Sequence, residues 1–207
     1  MIRPILCGVA AAALMLAGCQ RNETAESPGQ TEPVNAAQDA MSAAVGAASS
    51  ATLGQTTEGF ATNAAISDMY EIEAGKLAQE KGQSQAVKDF GAMMVKDHTA
   101  SSTEMKPLAQ AANVTLPTEM DQRRKGLIDN LRAANGADFD EAYIDQQVAA
   151  HEEALNLLNG YAQDGGDAGL KAFAAKTAPV VQKHLDQVRA MDSAAEAAPA
   201  GQTAPAK

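Results

Sequence analysis

The sequence predicts an all-α protein built as a bundle of antiparallel helices. Two observations carry this. Between about residues 58 and 192, apolar side chains recur at the three- and four-residue spacing of a buried helical face, and no window alternates with period two as a strand does. A third sets the packing: only 3% of the residues are aromatic although 45% are hydrophobic, so helices rich in alanine and glycine can approach closely.

The elements follow in order. A first helix is expected over about Glu58–Lys81, closing near Gly82. A second is expected over about Ser84–Ala112, with Ser84 as its N-cap and Val87, Gly91, Met94, His98, Ser101, Met105 and Leu108 along its inner stripe. Pro107 is expected to kink it or end its regular part. A shorter third helix is expected over about Thr118–Ala134, opening after Leu116-Pro117 and closing before Gly136. The fourth is expected over about Phe139–Gln163, with the stripe Ile144, Val148, His151, Leu155 and Leu158. The fifth is expected over about Asp167–Met191, with the stripe Leu170, Ala174, Thr177, Val181, His184 and Val188, and a bend at Pro179. Met69, Met93, Met94 and Met105 read as gap-fillers of this core, a thioether role at copper being the alternative.

Connection lengths decide the topology. Two or three residues join helices one and two, and likewise four and five, which makes two antiparallel hairpins. The segment from Asn113 to Asp138 between them is long enough to cross back along a bundle. Two hairpins and one long crossover is the connectivity of a ferritin-like four-helix bundle, here with a short extra helix in the crossover. A five-helix up-and-down array is the competitor.

The ends have a different composition. Arg3 followed by the apolar run Ile5–Ala17 has the layout of a secretory signal, too short for a span of about 20 apolar residues. It closes on Leu16-Ala17-Gly18-Cys19, which resembles a bacterial lipobox. The expected organisation is therefore a signal peptide over residues 1–18, a lipidated Cys19 with a flexible tether over 19–57, in which the Ala-rich stretch around Ala36–Ala48 can form a transient helix, the bundle over 58–192 and a disordered tail over 193–207. Gln20 after the cysteine, by resemblance to Gram-negative lipoproteins, implies the outer membrane, with the bundle facing the periplasm or the cell surface. Cys7 lies in the signal, so an acylated Cys19 leaves no disulfide and no cysteine nucleophile. The net charge of −10 argues against binding nucleic acid or anionic lipid headgroups, so the membrane is reached through the lipid.

The three histidines of the chain, His98, His151 and His184, each sit well inside a helix and on its inner stripe. Mid-helix positions meet at one level in an antiparallel bundle, so the three imidazoles can converge. The first helix adds Tyr70, Glu73 at the next stripe position, and Glu71 beside it. One reading is a metal site of three histidines with Glu71 or Glu73, for zinc, copper, iron or nickel. The other is a hydrogen-bonded polar layer that fixes helix register. A carboxylate-bridged di-iron centre is disfavoured, because Val95, Val148 and Val181 stand where a Glu-x-x-His pair needs glutamate. Asp97 and Glu152 neighbour histidines in sequence but belong to other faces of their helices, and read as solvated charges.

The stretches DMYEIEAGKLAQEKG (Asp68–Gly82), AVKDFGAMMVKDH (Ala86–His98), VTLP (Val114–Pro117), FDEAYIDQQVAAHEEAL (Phe139–Leu155) and LKAFAAKTAPVVQKHL (Leu170–Leu185) resemble domain-of-unknown-function family 4142. The resemblance implies a ferritin-like helical bundle in an exported protein and no established activity. Glu71, Asp97, His98, His151 and His184 fall on its recurrent polar positions.

No catalytic residue set is evident: G-x-S-x-G, P-loop and Rossmann glycine patterns are all missing. The expected function is therefore a membrane-anchored bundle that engages an unidentified protein partner in envelope integrity or stress tolerance. The alternative is transition-metal storage or buffering through the three histidines and a glutamate. A metal-dependent oxidase or hydrolase is a third, weaker reading.

Overall fold

A computed structural model of the chain describes residues 39–46 and 54–197. The residues expected to form the signal peptide, Cys19 and the expected tether up to residue 38 lie outside the described residues, as do 47–53 and 198–207. Among the described residues there are six helices and no strand. They are α1 (39–46), α2 (Thr57–Lys81), α3 (Gln85–Ala111), α4 (Gln122–Ala133), α5 (Ala137–Asp164) and α6 (Ala168–Ala197).

Local chemistry sets the ends. Thr56, Ser84, Asp121 and Asp167 each accept a hydrogen bond from a backbone N–H three residues on, satisfying a donor that the first helical turn leaves unpaired. Asp121 is why α4 starts at Gln122 and not at the expected Thr118. α3 ends in a Schellman motif: Asn113 is left-handed at φ 58°, Val114 N–H reaches the Ala109 carbonyl, and Asn113 N–H reaches that of Gln110.

Neither proline breaks its helix; α3 runs four residues past Pro107, and α6 continues far beyond Pro179. Each proline lacks the N–H for the carbonyl four residues back. Those carbonyls, on Thr103 and Ala175, belong to exposed residues, where water can bond them at little cost.

α2 and α3 form one hairpin and α5 and α6 the other; α2 packs on α5, and α3 on α6. At one end of the bundle the Asp140 carboxylate accepts from the backbone N–H groups of Gln83 and Ser84, pinning the start of α5 to the α2–α3 turn. At the other end, Thr57 at the start of α2 is hydrogen-bonded to the hydroxyl of Tyr161, near the end of α5. Residues 112–136, which carry α4, therefore return the chain along the length of the bundle. This is a four-helix bundle with one long crossover, as the connection lengths predict.

All seven aromatic residues are buried. Phe60 stacks on Tyr161 at 4.1 Å with Phe173 at its edge, while Phe90, Tyr143 and Phe139 form a second cluster. The second cluster reaches the histidines: Phe90 lies 6.0 Å from the His151 ring. Met94 and Met105 fill the core, as their gap-filling role requires.

Two boundaries of the folded region differ from expectation. Residues 39–46, assigned to the tether, form α1, which docks through Asp39: its carboxylate accepts from Asn130 Nδ2 and Gln146 Nε2, each at 2.7 Å. Residues 193–197, assigned to the tail, continue α6, with Ser193 Oγ bonded to the Arg189 carbonyl.

Candidate metal centre

His98, His151 and His184 lie near the middles of α3, α5 and α6 and are all buried. Their ring centroids are 6.1, 5.9 and 5.6 Å apart, and each offers one ring nitrogen within 4.8 Å of those of the other two.

Each ring is anchored through its other face. His98 Nδ1 bonds Asp68 Oδ1 at 2.8 Å, His151 Nδ1 bonds its own helix at the Gln147 carbonyl, also at 2.8 Å, and His184 Nε2 bonds Asp97 Oδ2 at 3.1 Å. All three partners are acceptors, so the anchored nitrogen carries the hydrogen. In the neutral ring the other nitrogen then presents a lone pair. Those others, Nε2 of His98, Nε2 of His151 and Nδ1 of His184, are buried and have no hydrogen-bond partner.

Charge is distributed unevenly. Burial drives the His151 pKa down to about 3, helped by the charge of His98. It lowers His184 to about 4, helped by His151 and His98. For His98 burial also pushes downward, but the bond to Asp68 and the charges of Glu71, Asp68 and Asp97 together outweigh it and raise the pKa. Burial thus prevails at His151 and His184, while the neighbouring carboxylates prevail at His98. Burial raises the pKa of Glu71, the charge of His98 opposing it.

The five residues expected in a metal site or a buried polar layer separate in space. Glu71 is buried and accepts from Gln147 Nε2 at 2.7 Å. It sits 3.9 Å from His151 Nδ1, on the nitrogen already bonded to a carbonyl, so it neighbours the three-histidine set without being a ligand in it. Glu73 is a correction: it belongs to neither arrangement. It pairs with Arg132 of α4 at 2.9 Å and with Lys76 at 3.8 Å. The reason is rotation. Glu71 continues the inner row Phe60, Ala64, Ser67, Ala74 and Ala78, and two residues further is about 200° around a helix. Asp97 is the opposite correction: it reaches across to His184 instead of lying among solvated charges. Glu152 does point outward, paired with Arg189 on the surface.

Three contributors carry no mark in the sequence pattern: Asp68, Ser102 and Gln147. Asp68 orients His98 and is itself held by Ser102 Oγ at 3.0 Å. Gln147 carries both the carbonyl that fixes His151 and the amide that holds Glu71. The only available signal for Asp68 is its i, i+3 relation to Glu71 on one helical face.

Over most of its described length the chain resembles one known family. The sequence profile described as "Domain of unknown function (DUF4142)" matches residues 42–191. The chain belongs to this family. The matched region of this DUF4142 protein begins inside α1 and includes all three histidines. No curated protein and no solved structure matches the chain.

Proposed function

We propose that this DUF4142 protein binds one divalent first-row transition-metal ion through His98, His151 and His184. Two observations support the reading: each of the three buried rings brings a nitrogen within 4.8 Å of those of the other two, and each ring has one nitrogen without a partner while the opposite one is fixed by an acceptor. Anchoring of the distal nitrogen by a carboxylate or carbonyl is the arrangement that orients histidine ligands and raises their basicity. A tetrahedral zinc-type ion holds its nitrogens about 3.3 Å apart, so the rings need to close only modestly from separations of at most 4.8 Å. Asp68, Asp97 and Glu71 supply negative charge that offsets the ion in a low-dielectric interior. Three imidazoles suit zinc, copper, nickel or iron, and the choice among them follows availability as much as affinity.

The test is metal content. The untagged full chain, equilibrated with each ion and then dialysed, is expected to retain about one equivalent, and His98→Ala and His151→Ala to retain much less. A parent protein that folds by circular dichroism yet keeps no stoichiometric ion would overturn the proposal.

The address is proposed separately, on Leu16-Ala17-Gly18-Cys19: a lipid on Cys19 that holds the bundle at the outer membrane. Radiolabelled palmitate should enter the parent chain and not Cys19→Ala; equal labelling would refute it.

A further inference from the structure

A cavity adjoins the three histidines. It is a pocket of about 50 Å³ between α2, α3, α5 and α6, and its lining includes His98 and His184 but not His151. A single water needs about 10–15 Å³ of such space, so a ligand of a few heavy atoms fits. The exposed wall is mostly apolar, with Leu157, Leu158 and Phe173 in it, while Asp68, Asp97, Ser101 and Thr177 also line the pocket, and the rim reaches solvent at Val180, which is 41% exposed. One polar group stands out. Ser67 Oγ is in this lining, is buried, and has no hydrogen-bond partner. A hydroxyl left unpaired in an apolar wall costs free energy unless a ligand pairs with it.

We propose that this pocket is the entry and binding site for a compact oxygen- or nitrogen-donor ligand of two to three heavy atoms. The ligand completes the coordination of the ion held by the three histidines and hydrogen-bonds to Ser67 Oγ. The inference rests on the metal reading above and adds the class of ligand that the ion receives. A tetrahedral ion with three protein ligands keeps one position for an exogenous group. The pocket is lined by His98 and His184 and its rim reaches solvent at Val180, so it offers a route from solvent to two of the three rings. Closed structural sites lack such a route. The size of the pocket excludes aromatic or branched donors, and its apolar walls exclude a large hydration shell.

The experiment uses the full chain loaded with Co(II), whose visible bands report coordination number. Azide serves as the small donor and benzoate as the bulky one. Azide is expected to change the spectrum saturably and benzoate to leave it unchanged. Ser67→Ala should weaken azide about five-fold, the worth of one neutral hydrogen bond, with cobalt stoichiometry intact. Val180→Trp, a change at the exposed rim, should slow azide entry. Bound cobalt whose spectrum ignores azide overturns the ligand site and leaves the metal reading standing. So does azide binding indifferent to both substitutions. Failure to bind cobalt, zinc or copper overturns both.

Discussion

Asp68 and Asp97 each hydrogen-bond one histidine, and they decide which nitrogen of His98 and His184 is bare. Replacing Asp68 by asparagine keeps the shape and removes the obligatory acceptor, so His98 can present the wrong tautomer. Metal affinity should fall about 10–100-fold, the usual cost of losing such a partner. Competition against a chromophoric chelator measures it; an unchanged dissociation constant would remove Asp68 from the assembly. The depressed histidines also set a pH dependence in the metal-free protein. His151 and His184 titrate at about 3 and about 4 when folded and from 6.5 when unfolded. The unfolded chain therefore gains protons first, and stability is lost as pH falls from 6.5 toward 4, by up to several kcal/mol. His98, raised, and Glu71, raised, both work the other way as pH falls. Comparison with His151→Gln isolates one contribution: its urea midpoint should drop less between pH 7 and pH 4.5 than the parent's. The histidines themselves were legible in the sequence because period 3.6 places them on inner stripes. Their acceptors were not, because a carboxylate reaching from α2 to α3 or from α3 to α6 leaves no periodic trace.

At the scale of the element, small residues control how closely helices approach. A Cβ placed on Gly75 would stand 2.6 Å from the Gly91 carbonyl oxygen, and one on Gly91 2.7 Å from that of Gly75. α2 and α3 thus meet backbone to backbone at these two positions. Gly160 of α5 is exposed, and a methyl group there would meet nothing within 4 Å. The two sites should respond with opposite sign to the same substitution. Gly160→Ala is expected to stabilise by about 0.5–1 kcal/mol through helix propensity, and Gly75→Ala to destabilise by about 1–3 kcal/mol through overpacking. Urea denaturation of the two variants decides it; a stabilised Gly75→Ala would contradict the close approach. Helix existence and order were readable from apolar spacing, and Ser84 was readable as a cap. Pro107 and Pro179 were read as lying inside their helices, and both helices continue past them. The start of α4 depended on one cap, Asp121, that competes with several polar neighbours.

For the whole molecule, the proposed ion and the first helix would make separable contributions. An ion that binds only the folded bundle should raise its stability by about 4 kcal/mol at a thousand-fold excess over the dissociation constant. Thermal melting with and without a chelator is the measurement, and identical melting temperatures would argue against a bound ion. α1 contributes no residue to the histidine cluster, and its contacts with α4 and α5 include those of Asp39 and of the Ser42 carbonyl, which accepts from Arg123. Asp39→Ala should therefore lower the melting temperature and leave metal stoichiometry unchanged. Docking of this helix was invisible in the sequence, since its partners Asn130 and Gln146 lie far along the chain and its own composition resembles that of a tether. The hairpin topology was visible, because loop length alone constrains it.

The ligands belong to both hairpins: His98 to the first, His151 and His184 to the second. No single hairpin holds all three, so the proposed ion would find its complete ligand set only once the two hairpins have packed together. On the proposed reading, the identity of the ion would then be set by the metals available where the bundle completes its packing.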